Sequence, residues 1–128
     1  MSSKILIVDD SKTTRNYLAH ILRFAGYEVL EAVDGSQAIE ILVSHPQNSS
    51  IRCIITDINM PVLDGITMIK RIRKELSLNL PIIVVTTVDE RNEQRVAMES
   101  GASAYVIKPI LPDSIIELVK QILEEGKG

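Results

Sequence analysis

The amino-acid sequence predicts a doubly wound α/β fold, in which helices cover both faces of one open parallel sheet. Five short apolar runs rich in β-branched residues alternate with five segments of helical period along 128 residues. Right-handed crossovers between parallel strands place the intervening helices on both faces of such a sheet. A chain of this length with 45% apolar residues can bury one conventional core. We therefore expect a single domain over residues 1–128.

The five apolar runs are predicted to be strands because each is only a few residues long and is bounded by polar or turn-forming residues. The second run is the weakest, and the third stops abruptly at one acidic residue, Asp57. The predicted strands cover residues 4–8, 28–31, 53–55, 82–85 and 104–107.

The segments between the strands have the apolar spacing of amphipathic helices. The first shows it well, because Leu18, Ile21 and Leu22 fall at i, i+3 and i+4, and Gly26 then ends the segment. On the last segment, Ile115 and Val119 belong to the predicted inward face. The predicted helices cover residues 12–25, 34–45, 65–76, 90–100 and 112–124.

Composition excludes several classes of function. A net charge of −3 and a pI near 5.4 argue against a nucleic-acid binder, which normally presents a basic face. The apolar stretch near the amino terminus is too short for a signal peptide or a membrane span, so we expect a cytoplasmic protein without a membrane partner. Cys53 is the single cysteine and is expected to be a packed, inert thiol.

Polar side chains gather where the predicted strands end. Asp9 and Asp10 follow the first strand, Asp57 the third, Thr86 the fourth and Lys108 the fifth. Since ligands of open parallel sheets bind outside the carboxyl ends of the strands, these residues are candidates for one site. Asp57 taken alone could equally cap a helix or close a turn. The convergence of five polar residues on one rim favours a functional site instead.

The residue types on this rim favour metal-assisted phosphoryl chemistry. Three carboxylates converging to about 5 Å would repel by roughly 3 kcal/mol per pair, so the cluster should hold a cation or shift its pKa values. Hard oxygen ligands in an open set favour Mg²⁺, which often shares its coordination with a phosphate. Asp57 could then be the nucleophile, with Lys108 balancing charge and Thr86 supplying a hydroxyl donor.

These residues carry a resemblance to the response-regulator receiver domains of two-component signalling, and particularly to the single-domain chemotaxis type. The resemblance covers nearly the whole chain, and it implies a flavodoxin-like (βα)5 fold with strand order 2-1-3-4-5. The stretches that carry it are residues 5–10 (ILIVDD), 56–65 (TDINMPVLDG), 81–87 (PIIVVTT) and 101–109 (GASAYVIKP).

The resemblance implies that Asp57 accepts a phosphoryl group from a sensor histidine kinase or a phosphotransfer protein. Asp10, Asp57 and the backbone carbonyl of Asn59 would bind Mg²⁺ directly, and Asp9 would act through water. The chain would then be a signalling switch that assists its own phosphorylation and dephosphorylation rather than an enzyme. It would be a monomer or a weak, phosphorylation-dependent dimer.

The resemblance also assigns the switching residues. Lys108 would contact the phosphoryl group, Thr86 would move toward it, and Tyr105 would follow, altering a protein-binding surface on helix four, strand five and helix five. The Lys108–Pro109 bond is expected to be cis. Thr87 stands where the family often has a smaller residue, so its bulk could crowd the phosphoryl pocket or add a second donor.

Some positions call for separate expectations. Ile110 stands where the family often has Phe, and with Leu111, Ile116 and Leu123 it could leave an apolar patch exposed beside the last helix. A phosphorelay role for the two histidines is not expected, because both fall on helices away from the strand ends. They are His20 and His45.

Three other functions share parts of this pattern. A flavin mononucleotide binder would have the fold, but its first loop would not open with two acidic residues. An aspartyl-nucleophile phosphatase would need an acid two residues after Asp57, where Asn59 stands. A receiver-like module that binds partners without phosphorylation remains the main alternative.

Overall fold

The computed structural model describes residues 3–44 and 50–125 and contains five strands and five helices in strict alternation. His45 lies outside the described residues. The predicted boundaries agree with the observed ones to within two residues. The elements are β1 (Lys4–Val8), α1 (Lys12–Phe24), β2 (Glu28–Ala32), α2 (Gly35–Ser44), β3 (Ile51–Thr56), α3 (Gly65–Lys74), β4 (Ile82–Thr86), α4 (Arg91–Ser100), β5 (Ala104–Ile107) and α5 (Pro112–Glu125).

The five strands form one parallel sheet in the order β2-β1-β3-β4-β5, which confirms the predicted fold and strand order. The central strands β1, β3 and β4 are almost wholly buried, as expected for strands with helices on both faces. Because all strands are parallel, the residues that follow their carboxyl ends lie along one edge of the sheet. No helix within the described ranges is long and apolar enough to cross a membrane.

The sheet separates two hydrophobic clusters, and alternate residues of each strand enter opposite ones. Ile5 and Ile7 of β1 belong to the cluster under α1 and α5, whereas Leu6 and Val8 belong to the cluster under α2, α3 and α4. Cys53 is fully buried in the first cluster. This two-sided packing holds the strand ends, and therefore the polar rim, in a fixed arrangement.

The expected apolar patch beside α5 is mostly absent, and that prediction was wrong for two of its four members. Ile110 and Leu123 are buried, at 8% and 9% exposure, and Ile116 is half-buried. Only Leu111 is well exposed, at 64%. The reason is that α5 contacts α1 as well as the sheet, so it buries a broader stripe than the inward face predicted from its spacing.

Two helices that follow the rim, α1 and α3, begin at N-cap residues. The Ser11 hydroxyl accepts the Thr14 backbone N–H at the start of α1, and the Asp64 carboxylate accepts the Thr67 N–H at the start of α3. Gly65 at the first turn of α3 donates its N–H to the Ile58 carbonyl at 2.8 Å. A Cβ at Gly65 would collide with backbone atoms of Asp57 and Ile58, so this position requires glycine.

Candidate functional site

The backbone places Asp9 and Asp57 on adjacent strands at the same edge of the sheet. Asp57 N–H donates to the Val8 carbonyl of β1 at 3.0 Å, and Asp9 N–H donates to the Ala32 carbonyl of β2 at 3.1 Å. The ladder of the sheet therefore continues one residue beyond β1 and β3 and ends at the two acids.

The Lys108 ammonium group lies between these two carboxylates. Its Nζ is 3.1 Å from Asp57 Oδ2 and 3.4 Å from Asp9 Oδ2. All three side chains are shielded, with exposures of 19% for Lys108, 12% for Asp57 and 4% for Asp9. Two carboxylates and one ammonium thus form a compact, mostly buried cluster, where electrostatic interactions are stronger than at an open surface.

The protonation equilibria at this cluster are perturbed. Burial raises the pKa of Asp9, although the Ser11 N–H, the Lys108 ammonium and their hydrogen bonds act in the opposite direction. Burial would lower the pKa of Lys108, but attraction to Asp57 and then to Asp9 outweighs it, so the Lys108 pKa is raised. The ammonium form of Lys108 is therefore favoured beside the two acids.

The two oxygens of Asp57 have different surroundings. Oδ1 accepts the backbone N–H of Ile58 at 2.6 Å and that of Asn59 at 3.4 Å, whereas Oδ2 faces Lys108. The following loop therefore orients the carboxylate through its own backbone. An oriented and shielded carboxylate next to a cation can act as a positioned nucleophile or as a metal ligand.

The predicted convergence of three carboxylates is only partly present. Asp10 is exposed, and no three acidic, histidine or cysteine side chains within residues 3–44 and 50–125 lie close enough together to hold a metal ion. The donor types nevertheless suit a hard cation, since Asp9, Asp10 and Asp57 offer carboxylate oxygens and the exposed Asn59 lies two residues further on. Lys108 supplies the positive charge between Asp9 and Asp57 in this arrangement.

Thr86 and Tyr105 are linked through the backbone of one intervening residue. The buried Thr86 Oγ1 accepts the Val88 N–H at 3.3 Å, and the Tyr105 hydroxyl donates to the Val88 carbonyl at 2.7 Å. Burial, followed by nearby carboxylates, raises the pKa of Tyr105. Thr87 is exposed on the same loop. The contact from Thr86 through Val88 to Tyr105 connects the site to β5.

The lysine segment is joined to β4. Lys108 N–H donates to the Thr86 carbonyl at 2.8 Å, and the Lys108–Pro109 peptide bond is cis, the isomer that the resemblance implies. His20 is exposed on the outer face of α1, where it lines a shallow groove with Asn16, Arg23 and Phe24.

Two further residues at the site did not emerge from the sequence. Arg15 of α1 donates to the Asp9 carbonyl at 2.7 Å and pairs with Glu31 at 3.4 Å. Val62, in the loop after Asp57, has φ +67°, and the Leu63 N–H closes a γ-turn around it to the Pro61 carbonyl at 2.7 Å. The position of Arg15 could have been inferred from the sequence, because it is a basic residue in the first turn of α1. The conformation of Val62 could not, since valine is an unusual residue at a positive φ.

Comparisons with known proteins agree with this geometry. Residues 5–120 match the response regulator receiver domain family. A chemotaxis protein CheY homolog of Campylobacter jejuni is 35% identical over 127 residues, covering 98% of this chain and 95% of the relative. Chemotaxis protein CheY1 of Helicobacter pylori is 36% identical over 122 residues, covering 94% and 96% of the two chains.

Solved structures give the same result. The crystal structure of Vibrio cholerae chemotaxis protein CheY4 has a TM-score of 0.86 and 30% identity, covering 95% of this chain and 99% of that one. A CheY-like receiver domain protein from Methanospirillum hungatei has a TM-score of 0.88 and 26% identity, covering 99% and 98%. Fold, family match and relatives of nearly equal length agree, and the chain belongs to the response regulator receiver domain family of two-component signalling.

Proposed function

We propose that this chain is a phosphoryl-accepting switch and that Asp57 is the acceptor. The observation that carries the proposal is the Asp57 carboxylate, oriented by two backbone N–H groups and held 3.1 Å from the Lys108 ammonium. CheY-like receiver domains interact with histidine kinases and downstream targets. The donor is therefore a sensor histidine kinase or a phosphotransfer protein.

The transfer step follows from the surroundings of the acceptor. A carboxylate oxygen of Asp57 forms a bond to phosphorus while the phosphorus–nitrogen bond of the donor phosphohistidine breaks, and the electron pair of that bond leaves with the donor imidazole. Lys108 stabilises the charge of the phosphoryl oxygens, and Thr86 offers its hydroxyl to one of them. Hydrolysis of the acyl phosphate by water resets the switch and restores the Asp57 carboxylate.

Receiver domains are generally Mg²⁺-dependent, and the chemistry of this donor set supports the same requirement here. Asp10, Asp57 and the Asn59 carbonyl would hold the ion directly, with Asp9 acting through water. The bound cation would neutralise the acids enough for a phosphoryl anion to approach. The structure contributes the two shielded acids and the backbone that orients Asp57.

The readout is proposed to pass through Val88. Movement of Thr86 toward the phosphoryl group changes its hydrogen bond with the Val88 N–H. Because the Val88 carbonyl accepts the Tyr105 hydroxyl, this change reaches Tyr105. A change there alters the surface formed by α4, β5 and α5, where the downstream protein binds. The chain is a monomer or a weak dimer that forms on phosphorylation.

The decisive experiment is phosphorylation with a small phosphodonor, followed by intact mass. We expect the chain to gain one phosphoryl group with Mg²⁺ present and about 10²-fold or more slowly without it. Asp57→Ala should gain none. Uptake by Asp57→Ala equal to that of the unchanged chain would refute the assignment, and absence of uptake by the unchanged chain would favour a phosphorylation-independent interaction module.

A further inference from the structure

We infer that Tyr17 is a positioning residue for Lys108, and that α1 thereby sets the separation between the acidic and the basic parts of the site. The inference rests on the proposed function, because it assigns a role in phosphoryl uptake. The observation behind it is a hydrogen bond of 2.8 Å from the Tyr17 hydroxyl to the Ile110 carbonyl, joining residues 93 positions apart.

Ile110 belongs to the short loop that carries Lys108. The loop is held at its start by the Lys108 N–H on the Thr86 carbonyl and at its end by the first turn of α5, where the Ile115 N–H reaches the Leu111 carbonyl. Between these points, the Ile110 side chain is buried and its carbonyl accepts from Tyr17. The Tyr17 contact therefore restrains the backbone two residues after Lys108.

The same helix is also attached to the acidic loop. Arg15 Nη1 donates to the Asp9 carbonyl at 2.7 Å. Residues two apart on a helix point in nearly opposite directions, about 200° around the axis. Arg15 accordingly reaches toward Glu31 of β2, whereas Tyr17 reaches toward the start of α5. Helix α1 thus acts as a brace, because it is hydrogen-bonded both to the loop that carries Asp9 and to the loop that carries Lys108.

What the brace controls is the position of the Lys108 ammonium. Asp9 and Lys108 are 99 positions apart, and their side chains meet at 3.4 Å. Their separation therefore depends on how the two loops are held. Small displacements of a charged group reduce the rate of a step that depends on its position. Without the Tyr17 hydroxyl, the loop has one restraint fewer, and Nζ occupies a wider range of positions around Asp57.

The test uses Tyr17→Phe, which keeps the ring and removes only the hydroxyl. Tyr17 is 42% exposed, so the variant leaves no buried cavity and should fold. With a small phosphodonor and Mg²⁺, the rate constant of uptake should fall about two- to tenfold, the change that one hydrogen bond is worth. The final stoichiometry should remain one phosphoryl group per chain. The matched control is Tyr27→Phe at the opposite, amino end of the sheet, where the Tyr27 ring packs against the hydrophobic cluster under α1 and α5.

A double-mutant cycle distinguishes positioning from a general structural effect. In a Lys108→Met background, Tyr17→Phe should no longer change the rate constant, because the group that it positions is gone. Equal rate constants for Tyr17→Phe and the unchanged chain would overturn the inference while leaving the proposed function intact. So would an undiminished effect in the Lys108→Met background. Loss of uptake by the unchanged chain would instead overturn the proposed function, and this inference with it.

Discussion

At the scale of single residues, the site combines oriented side chains with one unfavourable backbone conformation. Asp57 and Lys108 hold each other in place through a short ion pair. Val62, in the same loop as Asp57, has φ +67° and is 83% exposed. A β-branched residue with a positive φ costs about 1–3 kcal/mol. Because the Val62 side chain is mostly exposed, its burial offsets little of this backbone cost.

Replacement of Val62 should therefore stabilise the protein. Asparagine adopts positive φ more readily than valine, and we expect Val62→Asn to raise the free energy of unfolding by about 1 kcal/mol. Urea denaturation measures the change. Val33→Asn is the matched control, because Val33 is an exposed loop residue without a positive φ, and its effect should stay within about 0.5 kcal/mol. The interpretation fails if both variants shift stability equally.

At the scale of secondary-structure elements, Arg73 joins α3 to the segments before β4 and β5. Its guanidinium donates twice to the Gly101 carbonyl, at 2.7 and 3.1 Å, and also to the carbonyls of Leu78 and Leu80. Burial lowers the Arg73 pKa. Gly101, with φ +124°, has no room for a Cβ, which would lie 2.7 Å from Arg73 Cγ. The close approach of the Arg73 side chain to the backbone of Gly101 therefore requires arginine at the first position and glycine at the second.

Removal of this guanidinium should be costly. We expect Arg73→Met to lower the free energy of unfolding by about 2–4 kcal/mol, because three carbonyls lose a charged donor. Arg71→Met, on the exposed side of the same helix, should change it by less than about 0.5 kcal/mol. Chemical denaturation measures the free energy of unfolding of both variants. Equal losses would show that the hydrogen bonds from Arg73 to the three carbonyls do not stabilise the protein.

At the scale of the whole molecule, the sheet buries one titratable group far from the polar rim. Cys53 is fully buried, and burial raises its pKa to about 12. In the unfolded chain the pKa of the thiol is close to 9.0. Between these values the folded state holds the proton and the unfolded state loses it, so the contribution of Cys53 to stability is complete below pH 9 and declines as pH rises toward 12.

This linkage predicts an alkaline stability loss that Cys53→Ala removes. Above pH 9, the unchanged chain should lose up to about 1.4 kcal/mol per pH unit more than Cys53→Ala does. Free energies of unfolding at pH 8, 9, 10 and 10.5 give the two slopes, and the constant cost of the cavity cancels from their comparison. Parallel slopes would mean that the thiol ionises equally easily in both states.

The alternation of apolar runs and helical segments was enough to predict the fold, because both depend on side chains close together in the chain. It also predicted which strand ends would carry Asp9, Asp57, Thr86 and Lys108. The breadth of the buried face of α5 was not predictable in this way. It depends on a neighbouring helix that is distant in sequence.

The arrangement within the site likewise required the folded structure. Sequence patterns cannot show that Lys108 lies between Asp9 and Asp57 while Asp10 is exposed, or that Tyr17 reaches the Ile110 carbonyl. The two Lys108 contacts join residues 51 and 99 positions apart. Periodicity is a local property of the chain, whereas such distances follow from how the sheet and helices pack. The sequence therefore specified the chemical groups, and packing specified their partners.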